Sequence, residues 1–234
     1  MALIHSDLIL SEVIIEEPIL IPVINRFGIK LGLGDKTIKD ICESKSLDSN
    51  FFVAILNTFI YDDYFPEKNF RKFNISQIVD YLTKTNNSYE RFLLPNIESH
   101  LNIFIERSDP ANSNLSVIRK FFSVFKKELS ERISNDKNIL FPSVKSMVER
   151  CNSEEIIINS TYVETENLEE KLRDIKNLMI IHLNGEYDEN LCYAVLVSIC
   201  NLEKDITKHN RIRNKILMPL VKALESNEIL NNPE

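Results

Sequence analysis

The chain has 234 residues, of which 44% are hydrophobic and 27% are charged, an ordinary composition for a globular protein. Its formal net charge of -7 excludes nucleic-acid binding by the surface as a whole, because phosphate backbones require a concentrated positive face. The four glycines leave little material for tight hairpins or phosphate-binding loops. The composition therefore predicts an all-α protein.

The apolar stretch from Ile14 to Ile24 is the one segment that needs testing as a targeting signal. It contains two glutamates and two prolines, and no basic segment precedes it. Neither a secretory signal nor a membrane span has this composition. The four cysteines lack C-x-x-C spacing and are typical of incidental thiols in a reducing compartment. We expect a cytoplasmic protein that binds neither membrane nor nucleic acid.

Residues 1–60 predict a small domain of short helices. Pro18 suits a first helical turn, and Gly28 suits the left-handed position after a helix end. Asp48 is the expected cap of a helix that ends near Ile60. Residues 61–74, with Pro66 among charged and aromatic side chains, predict a linker.

Residues 75–228 predict four long helices, at about 76–107, 114–150, 161–183 and 188–226. Short polar loops separate them, which favours antiparallel neighbours. The chain also repeats a motif, because the segments 139–142 and 216–219 both end in proline and Leu94-Pro95 has the same ending. The pattern predicts a bundle of proline-bent helices with internal symmetry.

Polar side chains interrupt the apolar stripe that each long helix turns toward the bundle interior. In the last helix, alternating steps of four and three residues from Val195 reach His209 and Arg213. The same stepping through Phe125 and Leu129 places further residues on the inner stripe of the second helix, namely Arg132, Asp136 and Ile139. The other two helices contribute inner polar positions at Asn87, Ser108 and Thr165.

These motifs resemble a known family. Ile139-Leu140-Phe141-Pro142, Ile216-Leu217-Met218-Pro219 and Leu94-Pro95 are similar to helix motifs of hemerythrin-like domains, specifically those of the di-iron iron-sulfur cluster repair proteins (RIC family). Arg26-Phe27-Gly28-Ile29 resembles the start of the R-F-G-I-D-Y-C-C-G-G motif of their ScdA-type N-terminal domain. Lys39-Asp40-Ile41-Cys42 resembles its L-x-x-A-C segment. The resemblance covers nearly the whole chain and implies a hemerythrin-like antiparallel four-helix bundle preceded by a small helical domain.

The resemblance also implies where the iron ligands of the family would fall. Single histidines on each helix and two H-x-x-x-E pairs hold two irons in the family. Alignment through the prolines brings the histidines onto Asn87, Ser108, Arg132, Thr165 and His209, and the bridging glutamates onto Asp136 and Arg213. Only Asp136 and His209 are conventional iron ligands, and Gly32 and Leu33 stand at the positions of the family's paired cysteines.

Two ligands are too few for a pair of iron ions, and two arginines would place permanent positive charges beside them. We therefore expect no bound metal, no other cofactor and no catalytic residue. In place of the metal, Arg132 and Arg213 are expected to pair with Asp136 and a nearby glutamate as the polar filling of the bundle.

The function that follows is that of a non-catalytic, metal-free homologue of the repair proteins. It would act as a regulatory or protein-interaction module in a stress response, with a protein partner or as a homodimer. Phe51, Phe52 and Phe59 are expected to be exposed on the small domain and to pack on the bundle or across a dimer. Two alternatives stay open: a non-haem iron protein that repairs clusters with an atypical ligand set, and a small-anion sensor that uses the bundle arginines.

Overall fold

The computed structural model describes residues 3–66, 70–110, 112–150 and 168–225. Helices make up the regular structure of these ranges, and an isolated antiparallel bridge joins Ile9 to Thr37. The all-α prediction is confirmed, whereas the specific hemerythrin-like arrangement stays a prediction. In the same ranges, each helix is too short or too polar to cross a bilayer.

The α-helices of the described ranges follow one another in this order: α1 (Leu10–Glu16), α2 (Ile21–Arg26), α3 (Ile38–Ser44), α4 (Ser49–Ile60), α5 (Ile75–Ser88), α6 (Leu94–Glu106), α7 (Ser113–Asn135), α8 (Phe141–Arg150), α9 (Leu168–His182), α10 (Glu189–Ile212) and α11 (Met218–Glu225). Short 3₁₀ turns occur at Pro18–Leu20 and Phe70–Lys72. The predicted long helices therefore agree with continuous helical runs at 75–106, 113–150 and 189–225. The predicted start of the third helix at residue 161 lies outside the described residues.

Three π-helical segments interrupt the long runs, at Tyr89–Leu93, Asp136–Leu140 and Arg213–Leu217. A proline follows each segment at the second residue of the next α-helix. Proline has no N–H to donate, and its ring clashes with the carbonyl four residues earlier, so the preceding turn widens. The repeated motif found in the sequence thus corresponds to a repeated widening of the helix.

The chain divides into two compact units. Within the described residues the first unit contains 3–66, 70–85, 144–150 and 210–225, and the second contains 86–110, 112–143 and 168–209. The predicted domain limits at 60 and 75 stay a prediction.

An aromatic cluster forms the core of the first unit. The ring of Phe27 lies 4.8 Å from those of Phe52 and Tyr81, and the rings of Phe51 and Phe73 are 5.5 Å apart. Burial of such rings is a large favourable contribution to folding. The expectation that Phe51, Phe52 and Phe59 are exposed is wrong, because all three are buried. Helix α4 is apolar on nearly every side, and eight of its twelve residues are buried.

Arg26 is buried against this cluster. Its Nη1 atom donates a hydrogen bond to the Tyr81 hydroxyl at 3.4 Å, and its guanidinium lies 5.9 Å from the centre of the Phe59 ring. Gly28 follows α2 with a φ of +72°, the left-handed conformation that its sequence position predicts. The Arg-Phe-Gly motif therefore ends a helix and contributes two side chains to the core.

The core of the second unit is formed by apolar stripes of α6, α7, α9 and α10. Leu101, Phe125, Ile175 and Ile199 are representative, and each is at most 1% exposed. Ion pairs join neighbouring helices outside the core, including Lys126 with Glu98 at 2.7 Å. These helices place the polar residues described below.

Asp48 caps α4, as the sequence predicts. Its Oδ1 atom accepts hydrogen bonds from the backbone N–H groups of Asn50 at 2.8 Å and Phe51 at 3.2 Å. We expect Asp48→Ala to lower the free energy of unfolding by about 1 kcal/mol, because these N–H groups lose their acceptor. Urea unfolding of the variant measures the change. Asp48→Asn retains an acceptor oxygen and should stay close to the parent, and equal losses in both variants would contradict the capping role.

Candidate functional site

Five polar or partly polar side chains are buried together in the second unit. Three of the long helical runs contribute them, and we call them the polar cluster: Asn86, Tyr89, Arg132, Asp136 and His209. Each is at most 5% exposed. Buried groups of this kind are retained only where hydrogen bonds and opposite charges offset the loss of hydration.

Two contacts connect the helices within the polar cluster. The Asn86 Nδ2 atom donates a hydrogen bond to the Asp136 Oδ2 atom at 3.3 Å. The rings of Tyr89 and His209 are 5.7 Å apart and meet edge to face at 62°. Two pairs of side chains, Asn86 with Asp136 and Tyr89 with His209, therefore meet across helices in the interior of the unit.

Arg132 and Asp136 lie one helical turn apart on the same run. The Asp136 backbone N–H bonds to the Arg132 carbonyl, and residues four apart share one face of a helix. Both side chains are buried, so a guanidinium that stays protonated lies in the same interior as the carboxylate. The polar cluster therefore contains one permanently cationic and one acidic side chain, and their pairing stays a prediction.

The π-helical segments determine which side chains enter the cluster. Tyr89 and Asp136 are the first residues of two segments, and each lies six residues before a proline. A π-helical turn holds more residues than an α-helical turn, so it shifts the inward-facing stripe along the chain. As a result, Asn86 is buried whereas its neighbour Asn87 is only half-buried. Ile139 is exposed, although counting in steps of three and four residues along a regular helix predicts it inside.

The described residues of the polar cluster do not fit a di-iron centre. Iron pairs in bundles are held by several imidazole and carboxylate groups, and the polar cluster has one of each. In the described part of the chain, three or more His, Cys, Asp or Glu side chains are nowhere grouped to hold a metal ion. The Arg132 guanidinium would also repel cations held by Asp136.

The other predicted site residues are distributed as follows. Ser108 is buried near the end of α6, where its hydroxyl donates to the Phe104 carbonyl at 2.7 Å. It also lines a surface cleft between two loops of the second unit, together with Arg107, Asp109, Glu186, Tyr187 and Asp188. Thr165 lies outside the described residues.

Arg213 belongs to the first unit and begins the third π-helical segment. It is buried, and its Nη1 atom donates a hydrogen bond to the Asn214 Oδ1 atom at 3.2 Å. The position is equivalent to Asp136 in the repeated motif, since both lie six residues before a proline.

Gly32 and Leu33, which the motif resemblance aligns with paired cysteines, show no features of a thiol site. Gly32 has a φ of +89°, a conformation that residues with a Cβ rarely adopt, so a cysteine there would strain the backbone. Leu33 is half-buried. The loop therefore differs in backbone conformation, as well as in side chains, from one suited to adjacent cysteines.

Cys42 lies buried in α3, and its burial raises the pKa of the thiol to about 11. The thiol is therefore protonated at neutral pH and is a weak nucleophile and metal ligand. We expect iodoacetamide at pH 8 to leave Cys42 unmodified in the folded protein and to modify it after denaturation, as measured by peptide mass spectrometry. Rapid modification in the folded state would contradict this environment.

The same pKa shift sets a pH dependence. Because folding raises the pKa of the thiol from 9.0 to about 11, its contribution to stability is present below pH 9.0 and is lost as the pH rises toward about 11. In Cys42→Ala, which has no thiol at this position, the free energy of unfolding should therefore fall less between pH 9.0 and about 11 than it does in the parent protein.

Sequence reasoning missed Asn86 and Tyr89. One signal for Tyr89 was available, because its distance of six residues from Pro95 equals that of Asp136 from Pro142 and of Arg213 from Pro219. The chain matches no protein-family model and no curated protein sequence. The assignment of a function therefore depends on the site and on the motif resemblance.

Proposed function

We propose that the chain is a metal-free relative of hemerythrin-like iron-sulfur cluster repair proteins that acts as a regulatory or protein-interaction module. The burial of Arg132 one turn before Asp136 is the observation on which the proposal depends. It supports an interior in which a fixed side-chain cation takes the place of bound metal.

The burial of the polar cluster supports a non-catalytic role. Enzyme sites are concave and open to substrate, whereas every member of this cluster is nearly inaccessible to solvent. Asp136 and His209 therefore have no open path to a substrate within the described part of the second unit. Polar networks of this kind instead specify one arrangement of a helical core.

The first unit supports the same role. The resemblance implies thiol chemistry at a pair of cysteines, but Gly32 adopts a left-handed conformation and Cys42 is protonated in the interior. The first unit would then contribute a folded surface for binding rather than thiol chemistry. The stress-response pathway comes from the family resemblance, and the homodimer or protein partner belongs to the same proposal.

Elemental analysis of the full chain, produced in iron-supplemented medium, tests the proposal. We expect far less than one iron per chain and no ligand-to-metal absorption bands. An occupancy of about two irons per chain would contradict it and favour the iron protein with an atypical ligand set. His209→Gln is the control for trace metal, because iron bound in the cluster would fall in this variant while adventitious surface iron would not.

A further inference from the structure

A cleft in the first unit has mostly apolar walls and is partly open to solvent. The segment before α1, α1 itself and the end of α4 form it around a volume of about 240 Å³. Its apolar lining consists of Leu3, Ile4, Leu8, Val13 and Ile60. Leu3 is 52% exposed, so part of this apolar surface contacts water. Exposed apolar surface in a concave part of a protein is typical of a binding site.

Asn57 of α4 fixes one wall of the cleft. Its Oδ1 atom accepts a hydrogen bond from the Ile4 backbone N–H at 2.9 Å, and its Nδ2 atom donates to the Ile4 carbonyl at 2.9 Å. Asn57 is 1% exposed, so water does not compete for these bonds. The segment that contains Leu3 and Ile4 is therefore in place before a ligand binds, which lowers the entropic cost of binding.

Two carboxylates lie at the rim of the cleft without a positive partner. Glu16 is the last residue of α1 and Glu17 follows it, and both line the cleft. Within the described residues, neither side chain has an ion pair or a hydrogen bond. Glu12 lies one turn before Glu16 and repels it, and negative charge is unfavourable near the C-terminal end of a helix. A cation supplied by a ligand would offset both effects.

The other polar side chains of the lining do not supply this positive charge. His5 and Tyr61 line the cleft, and the His5 Nδ1 atom lies 4.0 Å from the Asp7 Oδ2 atom. A protonated His5 would therefore be balanced by Asp7. Lysine and arginine are absent from the described residues of the lining. The cleft is thus complementary to a ligand that combines an apolar group with a nearby cation.

We propose that the cleft binds a segment of another protein in which an apolar side chain lies within one helical turn of a lysine or arginine. The apolar side chain enters the cleft beside Leu8 and Val13, and the cation contacts Glu16 and Glu17. Such pairing of an apolar anchor with a charged rim is a common mode of peptide recognition.

The size of the cleft favours a side chain of a larger partner over a free small molecule. Its volume of about 240 Å³ is below the roughly 300–1,000 Å³ of most small-molecule pockets. Exposed Leu3 offers further contact area at its edge, which a longer segment can use. An anionic membrane fits less well, because Glu16 and Glu17 would face its negative surface.

The inference rests on the proposed interaction role and names the chemistry of the partner. The cleft belongs to the first unit and the polar cluster to the second, so the two can be tested separately. An iron-free chain that selects no basic peptide would overturn the role of the cleft alone. A chain with two irons that binds such peptides in the cleft would overturn the metal-free interior alone.

Selection from a phage-displayed library of random peptides of about 12 residues, with the full chain as the target, tests the proposal. Enriched peptides should share an apolar residue with lysine or arginine within one helical turn of it. One such peptide, synthesised with a fluorescent label, should bind with a Kd of about 1–100 μM in an anisotropy titration. Its Kd should rise between about 50 and 300 mM NaCl, because charges at an exposed rim are screened by salt.

Substitutions of exposed residues locate the peptide on the chain. Leu3→Lys should raise the Kd at least about 10-fold, because it removes apolar contact and repels the cation. Ile15→Lys is the matched control, since Ile15 is 78% exposed in the same unit but does not line the cleft. Glu16→Gln with Glu17→Gln should raise the Kd about 3- to 10-fold and reduce its salt dependence. Glu43→Gln, an exposed position of α3 outside the cleft, should leave both unchanged.

Four results would overturn the proposal. The first is a selection that enriches no peptides, or only peptides without basic residues. The second is equal binding by Leu3→Lys and Ile15→Lys. The third is displacement of the peptide by hexylamine at about 1 mM, which would assign the cleft to a small amine. The fourth is self-association of the parent that Leu3→Lys abolishes, which would assign it to a second copy of the chain.

Discussion

Asp136→Ala is expected to lower the free energy of unfolding by about 3–5 kcal/mol, because we expect the buried Asp136 carboxylate to pair with Arg132 and this is the cost of removing one partner of a buried ion pair. The substitution leaves the Arg132 guanidinium in the interior without the nearby carboxylate and removes the acceptor of the Asn86 amide. For a chain of this length the melting temperature should fall by roughly 10 °C. Differential scanning calorimetry measures both quantities.

Two comparisons separate this explanation from a general intolerance of substitution. Glu131→Ala removes an exposed carboxylate from the same helix and should change stability by less than about 0.5 kcal/mol. Arg132→Met combined with Asp136→Leu should recover most of the loss, because an apolar pair replaces both charges. An unchanged melting temperature in Asp136→Ala would show that the carboxylate does not balance a buried charge.

Phe51→Ala is expected to lower the free energy of unfolding by about 3–5 kcal/mol as well, for an apolar reason. The ring is fully buried, and its centre lies 5.9 Å from that of Phe27, 5.5 Å from Phe73 and 6.4 Å from Tyr81. Alanine would leave a cavity that these rings cannot fill without moving. Thermal unfolding followed by near-ultraviolet circular dichroism measures the loss.

Phe92→Ala is the control for this substitution, since the Phe92 ring is mostly exposed and its removal should cost less than about 0.5 kcal/mol. Similar losses in the two variants would mean that Phe51 does not organise the core of the first unit.

Local signals in the sequence predicted the helices well. The cap at Asp48 and the glycine after α2 are decided by a few neighbouring residues, and the helix limits that lie within the described residues are close to the predicted ones. His209 and Asp136 were also expected in the interior, and both are fully buried. Counting in steps of three and four residues identifies the inward-facing positions correctly as long as the helix stays α-helical up to the residue in question.

The same counting gave wrong positions where it crossed a π-helical segment. It placed Asn87 and Ile139 inside, but counting seven residues back from Leu94, or three forward from Asp136, crosses a π-helical segment. The register changes there, so Asn86 is buried and Ile139 is exposed. Phe51 and Phe52 illustrate a different limit, because their partners Phe27, Phe73 and Tyr81 come from distant parts of the chain. Spacing along one helix does not contain that information.

The most direct test of the proposed metal-free interior is X-ray diffraction from crystals of the full chain, grown from iron-supplemented protein and measured on both sides of the iron absorption edge. We expect no anomalous peak near Asp136 and His209, and continuous density for the Arg132 guanidinium in the same interior. Two anomalous peaks bridged by carboxylate density at that position would contradict it.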